Sequence, residues 1–259
     1  MNTWAVETDH LSRKFGNFIA VDQVSIRVQR GEIFGFLGAN GAGKTTLIRM
    51  LCGLLKPTSG RGSVAGFDLL TRSEQIKRTI GYMSQKFSLY NDLTIAENIE
   101  FFGGIYGLSR SQINEKKNAI LKTLNLLSWE NSMTGDLPPG FKQGLALSTA
   151  MLHDPAIIFL DEPTSGVDPA SRRFFWDLIQ KTAAQGITVF VTTHFMDEAE
   201  YCHRIMIMNF GKIIAKDTPQ NLKKHFQKNS IQDVFVELVK NRLTNFPHAV
   251  DINNSGQVK

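Results

Sequence analysis

The stretch Ile33-Phe34-Gly35-Phe36-Leu37-Gly38-Ala39-Asn40-Gly41-Ala42-Gly43-Lys44-Thr45-Thr46 decides how the rest of the chain is read. Ile33 to Leu37 is an apolar run of strand length closed by Gly38. A helix is expected from about Gly43 to Leu55, where Lys56-Pro57-Thr58-Ser59-Gly60 stops it. Between strand and helix lies a complete G-x-x-x-x-G-K-[ST] run, Gly38 to Thr45. Its glycines let the backbone curl so that several N–H groups point inward at phosphate oxygens, and the helix N-terminus adds partial positive charge. Gly38, Asn40, Gly41, Gly43, Lys44, Thr45 and Thr46 are therefore the phosphate-binding candidates. Lys44 would reach the β- and γ-phosphates of a nucleotide, and the Thr45 hydroxyl would help complete a Mg²⁺ site. The alternative is a glycine-rich turn with an incidental lysine, and the strand and helix on either side argue against it.

A second signal is Ile157-Ile158-Phe159-Leu160-Asp161-Glu162. Four apolar residues followed by two acids describe a buried strand whose tip reaches the carboxyl edge of a sheet, where open α/β sheets bind ligands. Asp161 would hold Mg²⁺ through water, and Glu162 would take a proton from an attacking water. Taken alone, the pair could equally be a solvated acidic turn. Gln85 stands at another strand end, and Val191-Thr192-Thr193-His194 ends a third. A lone histidine is often a bystander, but a strand end beside the phosphate edge favours a γ-phosphate contact for His194.

Around these motifs the chain alternates strands and helices. Strands are expected at Val24–Val28, Thr79–Met83, Ala156–Leu160 and Ile187–Thr192, with a helix over Ser171–Ala184. Ile205–Met208 and Lys212–Ala215 read as a hairpin, with Met206 and Met208 as core residues. That order implies an α/β sheet covered on both faces. The middle, about Phe87 to Met151, reads instead as a helical insertion. Thr94 and Glu97 form a capping box ahead of the apolar face Ile95, Ile99, Phe102 and Tyr106, and a charged helix follows over Ser111–Leu127. After Gln227 the chain turns polar, and Asp251–Lys259 is expected to fray.

Composition narrows the partners. With 259 residues and 42% apolar content the chain can bury a substantial core. No apolar run approaches the roughly 20 residues needed to cross a bilayer, and the N-terminus lacks signal-peptide character. Cytoplasmic residence, free or on a membrane face, is the expectation. The net charge of +5 suits an anionic ligand or membrane surface, but no basic-aromatic stripe appears, so nucleic acid is not expected as a partner. Cys52 and Cys202 lie in segments that read as helices and are expected to be buried free thiols.

Taken in order, G-A-N-G-A-G-K-T-T, Gln85 after G-Y-M-S, I-I-F-L-D-E-P-T-S-G-V-D and T-T-H-F-M-D-E-A-E resemble the nucleotide-binding domain of ATP-binding cassette (ABC) transporters over about Leu11 to Leu222. The resemblance implies a P-loop NTPase (RecA-like) α/β core with an N-terminal antiparallel β subdomain and an inserted helical subdomain. It implies an ATP core over 1–86 and 152–226, a helical subdomain over 87–151 and a C-terminal extension over 227–259. It also implies ATP and Mg²⁺ as cofactors, Phe15 stacking on adenine, and catalytic roles for Glu162, His194 and Gln85. Thr45, Gln85 and Asp161 are the implied Mg²⁺ contacts. Gln85 would link the γ-phosphate site to the membrane subunit, and the loop Ser165–Asp168 would cross a dimer interface. K-F-S-L-Y-N-D-L-T-I-A-E-N-I-E-F-F and I-Q-D-V-F-V-E-L resemble the exporter branch, including drug-efflux ATPases; some relatives there carry two cassettes in one polypeptide, and this chain resembles one such half.

One segment departs from the family. Its L-S-G-G-Q signature, which faces the γ-phosphate on a partner's P-loop, is here Leu137-Pro138-Pro139-Gly140-Phe141, and Gly144 stands where arginine is usual. Pro138 removes a hydroxyl and an N–H, and Pro139 removes another N–H, although both prolines suit a helix start. The implied function is an exporter ATPase paired with a second cassette and a membrane permease, at the cytoplasmic face of the inner membrane. A soluble cassette acting on ribosomes or DNA, and a weakly hydrolysing regulator, are the other readings.

Overall fold

The computed structural model describes residues 4–85 and 89–243. In chain order it runs β1 (Trp4–Phe15), β2 (Phe18–Val24), β3 (Arg27–Gln29), β4 (Ile33–Leu37), α1 (Lys44–Leu51), β5 (Ser59–Val64), β6 (Phe67–Asp68), α2 (Ser73–Thr79) and β7 (Ile80–Met83). The helices α3 (Ile95–Ile105), α4 (Arg110–Thr123) and α5 (Pro139–Ala150) follow. Alternation returns with β8 (Ile157–Asp161), α6 (Pro169–Ala184), β9 (Thr188–Thr193), β10 (Arg204–Asn209) and β11 (Lys212–Asp217), then α7 (Pro219–Phe226) and α8 (Ile231–Leu243).

The main sheet has the order β11-β10-β4-β9-β8-β7. It is parallel except for the β10–β11 hairpin. Its central strands β4, β8 and β9 are buried along their whole length because both faces are covered. Alternate residues divide between two cores. Ile33, Leu37, Ile158, Leu160, Val189 and Val191 pack toward α3–α6. Phe34, Phe36, Phe159 and Phe190 face α1 and the antiparallel sheet, and their rings meet at centroid distances of 4.7–5.9 Å. Met206 and Met208 are fully buried in this second core, as expected. The antiparallel sheet has the order β2-β1-β5-β6, with β3 also on β1.

Several boundaries differ from expectation for identifiable reasons. The strand expected over Val24–Val28 is divided, because β2 pairs with the far end of β1 and β3 with its start. The Thr8 hydroxyl sits in the gap, donating to Val24 O at 3.0 Å and accepting from Ile26 N at 3.1 Å. Helix α1 stops at Leu51, since the N–H groups of Leu54 and Leu55 both turn back to Arg49 O. Cys52 is thus the residue that closes the helix, and Cys202 follows the 3-10 turn Met196–Tyr201. Both thiols are free and buried. The charged helix ends at Thr123, with Leu126 N closing onto Leu121 O.

In the helical segment the Thr94–Glu97 capping box forms as expected, and a second one, Ser109 with Gln112, starts α4. The chain beyond Gln227 is not uniformly polar. It forms α8, whose Ile231 and Val234 are buried in the first core beside the Met196–Tyr201 turn. The expected boundary at Phe87 and the segment Asp251–Lys259 lie outside the described residues. Among those described, no helix is long and apolar enough to cross a membrane.

Candidate functional site

The site forms at the carboxyl ends of β4, β8 and β9, with β4 feeding directly into the glycine turn and α1. Gly43 has φ +102°, and a Cβ there would collide with the Ala20 carbonyl, so the turn needs glycine on two grounds. The Lys44 ammonium is buried, donating to Gly38 O at 2.8 Å and Ala39 O at 3.2 Å, with Glu162 Oε1 at 3.5 Å. Burial pulls the Lys44 pKa below the ordinary lysine value, while Glu162 and then Asp161 oppose that shift.

Strand β8 delivers the two acids. Asp161 Oδ1 accepts from Thr45 Oγ1 at 3.1 Å and from Thr192 Oγ1 at 2.7 Å. Its pKa is raised because desolvation outweighs these two hydrogen bonds. Glu162 occupies a left-handed conformation, φ +50°, which is strained for a residue with a side chain. Its N–H donates to Thr192 Oγ1 at 2.8 Å, so one threonine holds both acids in place. The Glu162 carboxylate then receives Gln85 Nε2 at 3.0 Å, and His194 Nδ1 lies 3.2 Å from the same oxygen. The histidine contact has ion-pair distance without hydrogen-bond alignment. The arrangement brings a buried cation, a carboxylate, an imidazole and an amide to one strained strand end.

A cavity of about 280 Å³ lies against this cluster, lined by residues that include Phe18, Asn40, Gly41, Gly43, Thr46 and Gln85. Phe18 lies outside every sequence motif of the site. It pairs with Phe15 at the β1–β2 turn and is 64% exposed. Phe15 itself stacks under the Arg13 guanidinium at 4.5 Å and is not among the lining residues. A larger hollow, about 750 Å³, lies around Arg27, Arg61, Arg204 and Lys216, remote from the cluster. Its guanidinium groups are already paired with Glu7, Asp9 and Glu32.

The chain matches the family model described as ABC transporter over residues 21–165, more than half its length. This chain belongs to the ABC transporter family. It is 49% identical over 239 residues to the probable multidrug ABC transporter ATP-binding protein YbhF of Escherichia coli, covering 90% of this chain but only 41% of that protein. It is 35% identical over 221 residues to the Nod factor export ATP-binding protein I of Cupriavidus metallidurans, covering 85% of this chain and 73% of the other. A solved ATP-binding cassette, dimeric and in a post-hydrolysis state with ADP and Pi, superposes with TM-score 0.73 at 26% identity, covering 82% and 98%. The fold expected from the sequence, a P-loop α/β core with an antiparallel β subdomain, is the fold of the ABC cassette.

In this ABC cassette the segment expected to hold the signature, Leu137–Phe141, leads into α5. Pro138 is its N-cap without a side-chain cap, and Pro139 is its first residue. Both prolines are exposed, whereas Leu137 and Gly140 are buried. The retained residues of the motif are thus the ones that face inward. A Cβ on Gly140 would meet the Ser171 side chain of α6, with Ser171 Cβ at 2.5 Å. Gly144, one turn later, would place a Cβ 2.9 Å from Leu124 Cδ2, the movable end of a leucine side chain. Phe141 is 37% exposed, and its N–H closes onto Pro138 O. Asp168 caps α6, accepting from the N–H groups of Ala170 and Ser171 at 3.0 Å each. Its hydrogen bonds with Ser171 lower its pKa. Gly140→Ala is expected to destabilise the fold by about 1–3 kcal/mol through overpacking. Thermal unfolding reads this, and adding Ser171→Gly should restore most of the loss. An unchanged midpoint for the single variant would show that α5 and α6 separate freely.

Proposed function

We propose that this chain is the ATP-binding and ATP-hydrolysing part of an ABC exporter, pairing head to tail with a second cassette and driving a membrane permease. The observation that carries the reading is the Glu162 carboxylate held by Gln85 and flanked by Lys44 and His194. In that setting Glu162 would accept the proton of a water attacking the γ-phosphate, and His194 would steady the phosphate oxygens. Lys44 and the N–H groups of the glycine turn would bind the phosphates, and Phe15 with Phe18 would frame the adenine.

The donor set fits Mg²⁺. Among the described residues no group of three or more His, Cys, Asp or Glu side chains could hold a metal by itself. One hydroxyl and one carboxylate, Thr45 and Asp161, lie 3.1 Å apart instead. That suits an ion held by few protein oxygens together with substrate phosphates, and Gln85 would be a further contact. When bound, the ion supplies charge neutralisation at the phosphates.

We read the organisation as an ATP core over 1–86 and 152–226, a helical subdomain over 87–151 and an extension over 227–259. Tyr90, Phe101 and Ile105 are 47%, 42% and 62% exposed close after Gln85, forming an apolar face for a permease segment. Attachment there would place the chain at the cytoplasmic face of the inner membrane. The solved dimeric relative supports cassette pairing, and the export names of the sequence relatives favour transport over action on ribosomes or DNA.

The reading is tested with Lys44→Ala. Loss of charge-assisted phosphate contacts should weaken Mg·ATP binding by roughly ten- to hundredfold. Titration with a fluorescent ATP analogue measures this, and an unchanged dissociation constant would remove the ATP assignment. Steady-state turnover with and without the permease then separates a transport ATPase from a regulator.

A further inference from the structure

Behind the site lies a buried carboxylate to which neither the motifs nor the proposed mechanism assign a role. Glu198 is fully buried in the 3-10 turn that follows His194. Its Oε1 accepts from Thr164 Oγ1 at 2.6 Å, and Thr164 lies two residues beyond Glu162 in the loop leading to Asp168. Arg172 of α6 faces the same carboxylate, with Nε 3.6 Å from Oε1, and its guanidinium lies 4.0 Å over the Phe195 ring. Phe195 in turn packs on His194 with ring centroids 4.1 Å apart. Glu198 therefore touches the loop after the acids directly and the histidine segment through Arg172 and Phe195.

The satisfaction of this cluster is uneven. Glu198 Oε2, Arg172 Nε and Trp176 Nε1 are all buried without a hydrogen-bond partner. Trp176 is one helical turn from Arg172, so both donors lie on one face of α6. A buried carboxylate costs several kcal/mol to desolvate, and native structures seldom leave such a group half-bonded without reason. A small shift of α6 or of the Thr164 loop would bring Arg172 Nε within hydrogen-bond range of Glu198.

We propose that Glu198 is a positioning residue that couples the Thr164–Asp168 loop to the His194 segment, with Thr164 and Arg172 as its two contacts. In the paired-cassette reading, on which the functional part of this proposal rests, the first segment lies at the partner and the second at this chain's own phosphate site. The coupling would then let the state of the interface set the position of the histidine.

The test compares Thr164→Val, which keeps shape but loses the donor, with Thr164→Ser, which keeps the donor. Amide hydrogen exchange on the purified chain should rise in Thr164→Val both at 164–168 and at 194–198, and Thr164→Ser should match wild type. Faster exchange confined to 164–168, or equal effects of serine and valine, would overturn the coupling. In turnover assays Thr164→Val should lower kcat about tenfold with ATP affinity kept within twofold. Glu198→Gln, which retains the acceptor for Thr164 but loses the charge facing Arg172, should fall between, and the double variant should be non-additive. Wild-type kcat in Thr164→Val would remove the positioning role. If wild-type protein shows no Lys44-dependent turnover, the ATPase reading fails separately, and the exchange comparison still decides the coupling.

Discussion

Replacing Glu162 by glutamine is expected to abolish most ATP turnover while leaving ATP binding nearly intact. Glutamine keeps the size of the side chain and can still meet Gln85 and His194, but it cannot accept a proton at neutral pH. General-base contributions are about 10²–10⁴-fold, so kcat should fall by at least a hundredfold. Binding should change little, because the groups that grip the phosphates are Lys44 and the glycine turn, and Lys44 keeps its contacts to Gly38 O and Ala39 O. Removing the negative charge 3.5 Å from Lys44 should, if anything, tighten phosphate binding. ATP-bound dimers should accumulate in this variant and shift its elution in size-exclusion chromatography. Turnover within twofold of wild type would remove Glu162 from the role of base, leaving its strained backbone without a catalytic reason.

Restoring the family signature with Pro138→Ser together with Pro139→Gly is expected to raise ATP turnover in a homodimer. Each composite site would join one chain's glycine turn to the other chain's signature, so the prolines weaken the partner's site and spare this chain's own. Losing a preorganised donor toward developing phosphate charge costs up to about 3 kcal/mol, about a hundredfold in rate. The structure makes the experiment clean. The two prolines are exposed at the helix start, while Leu137 and Gly140 carry the packing. The double variant should therefore lose only the rigidity of two prolines, about 0.4–1 kcal/mol each, and remain folded. With an intact partner signature, the site built on this chain's Lys44 and Glu162 should be competent without any substitution. Equal or slower turnover in the double variant, with an unchanged fold, would mean that the prolines serve only to start α5.

The parts legible in the sequence were those whose chemistry is local. A strand, a glycine turn and a helix placed Lys44 and Thr45 because the phosphate cradle is built from consecutive residues. Capping at Thr94 and the β10–β11 hairpin were readable for the same reason, each set by residues within a few positions of one another. The Ser109–Gln112 capping box carries the same kind of local signal. Asp161 and Glu162 could be suggested but not separated from a solvated acidic turn, since nothing within their own strand says what faces them.

Contacts between segments distant in sequence decided the rest. Gln85 reaches Glu162 across 77 residues, and Thr45 reaches Asp161 across 116, so only the sheet order brings them together. Thr192, which holds both acids, looked like an ordinary member of an apolar strand until β8 and β9 were paired in register. An apolar strand buried on both faces does not announce which face meets which layer. The division of Ile33 and Leu37 from Phe34 and Phe36 became definite only with the helices on one side and the antiparallel sheet on the other. The altered signature shows the same limit. The sequence by itself determined that Pro138 and Pro139 lack backbone donors and suit a helix start. That Gly140 sits where α5 closely approaches Ser171 of α6 was decided only by tertiary packing, because a glycine's lack of a side chain has a cost or a use only where another atom stands.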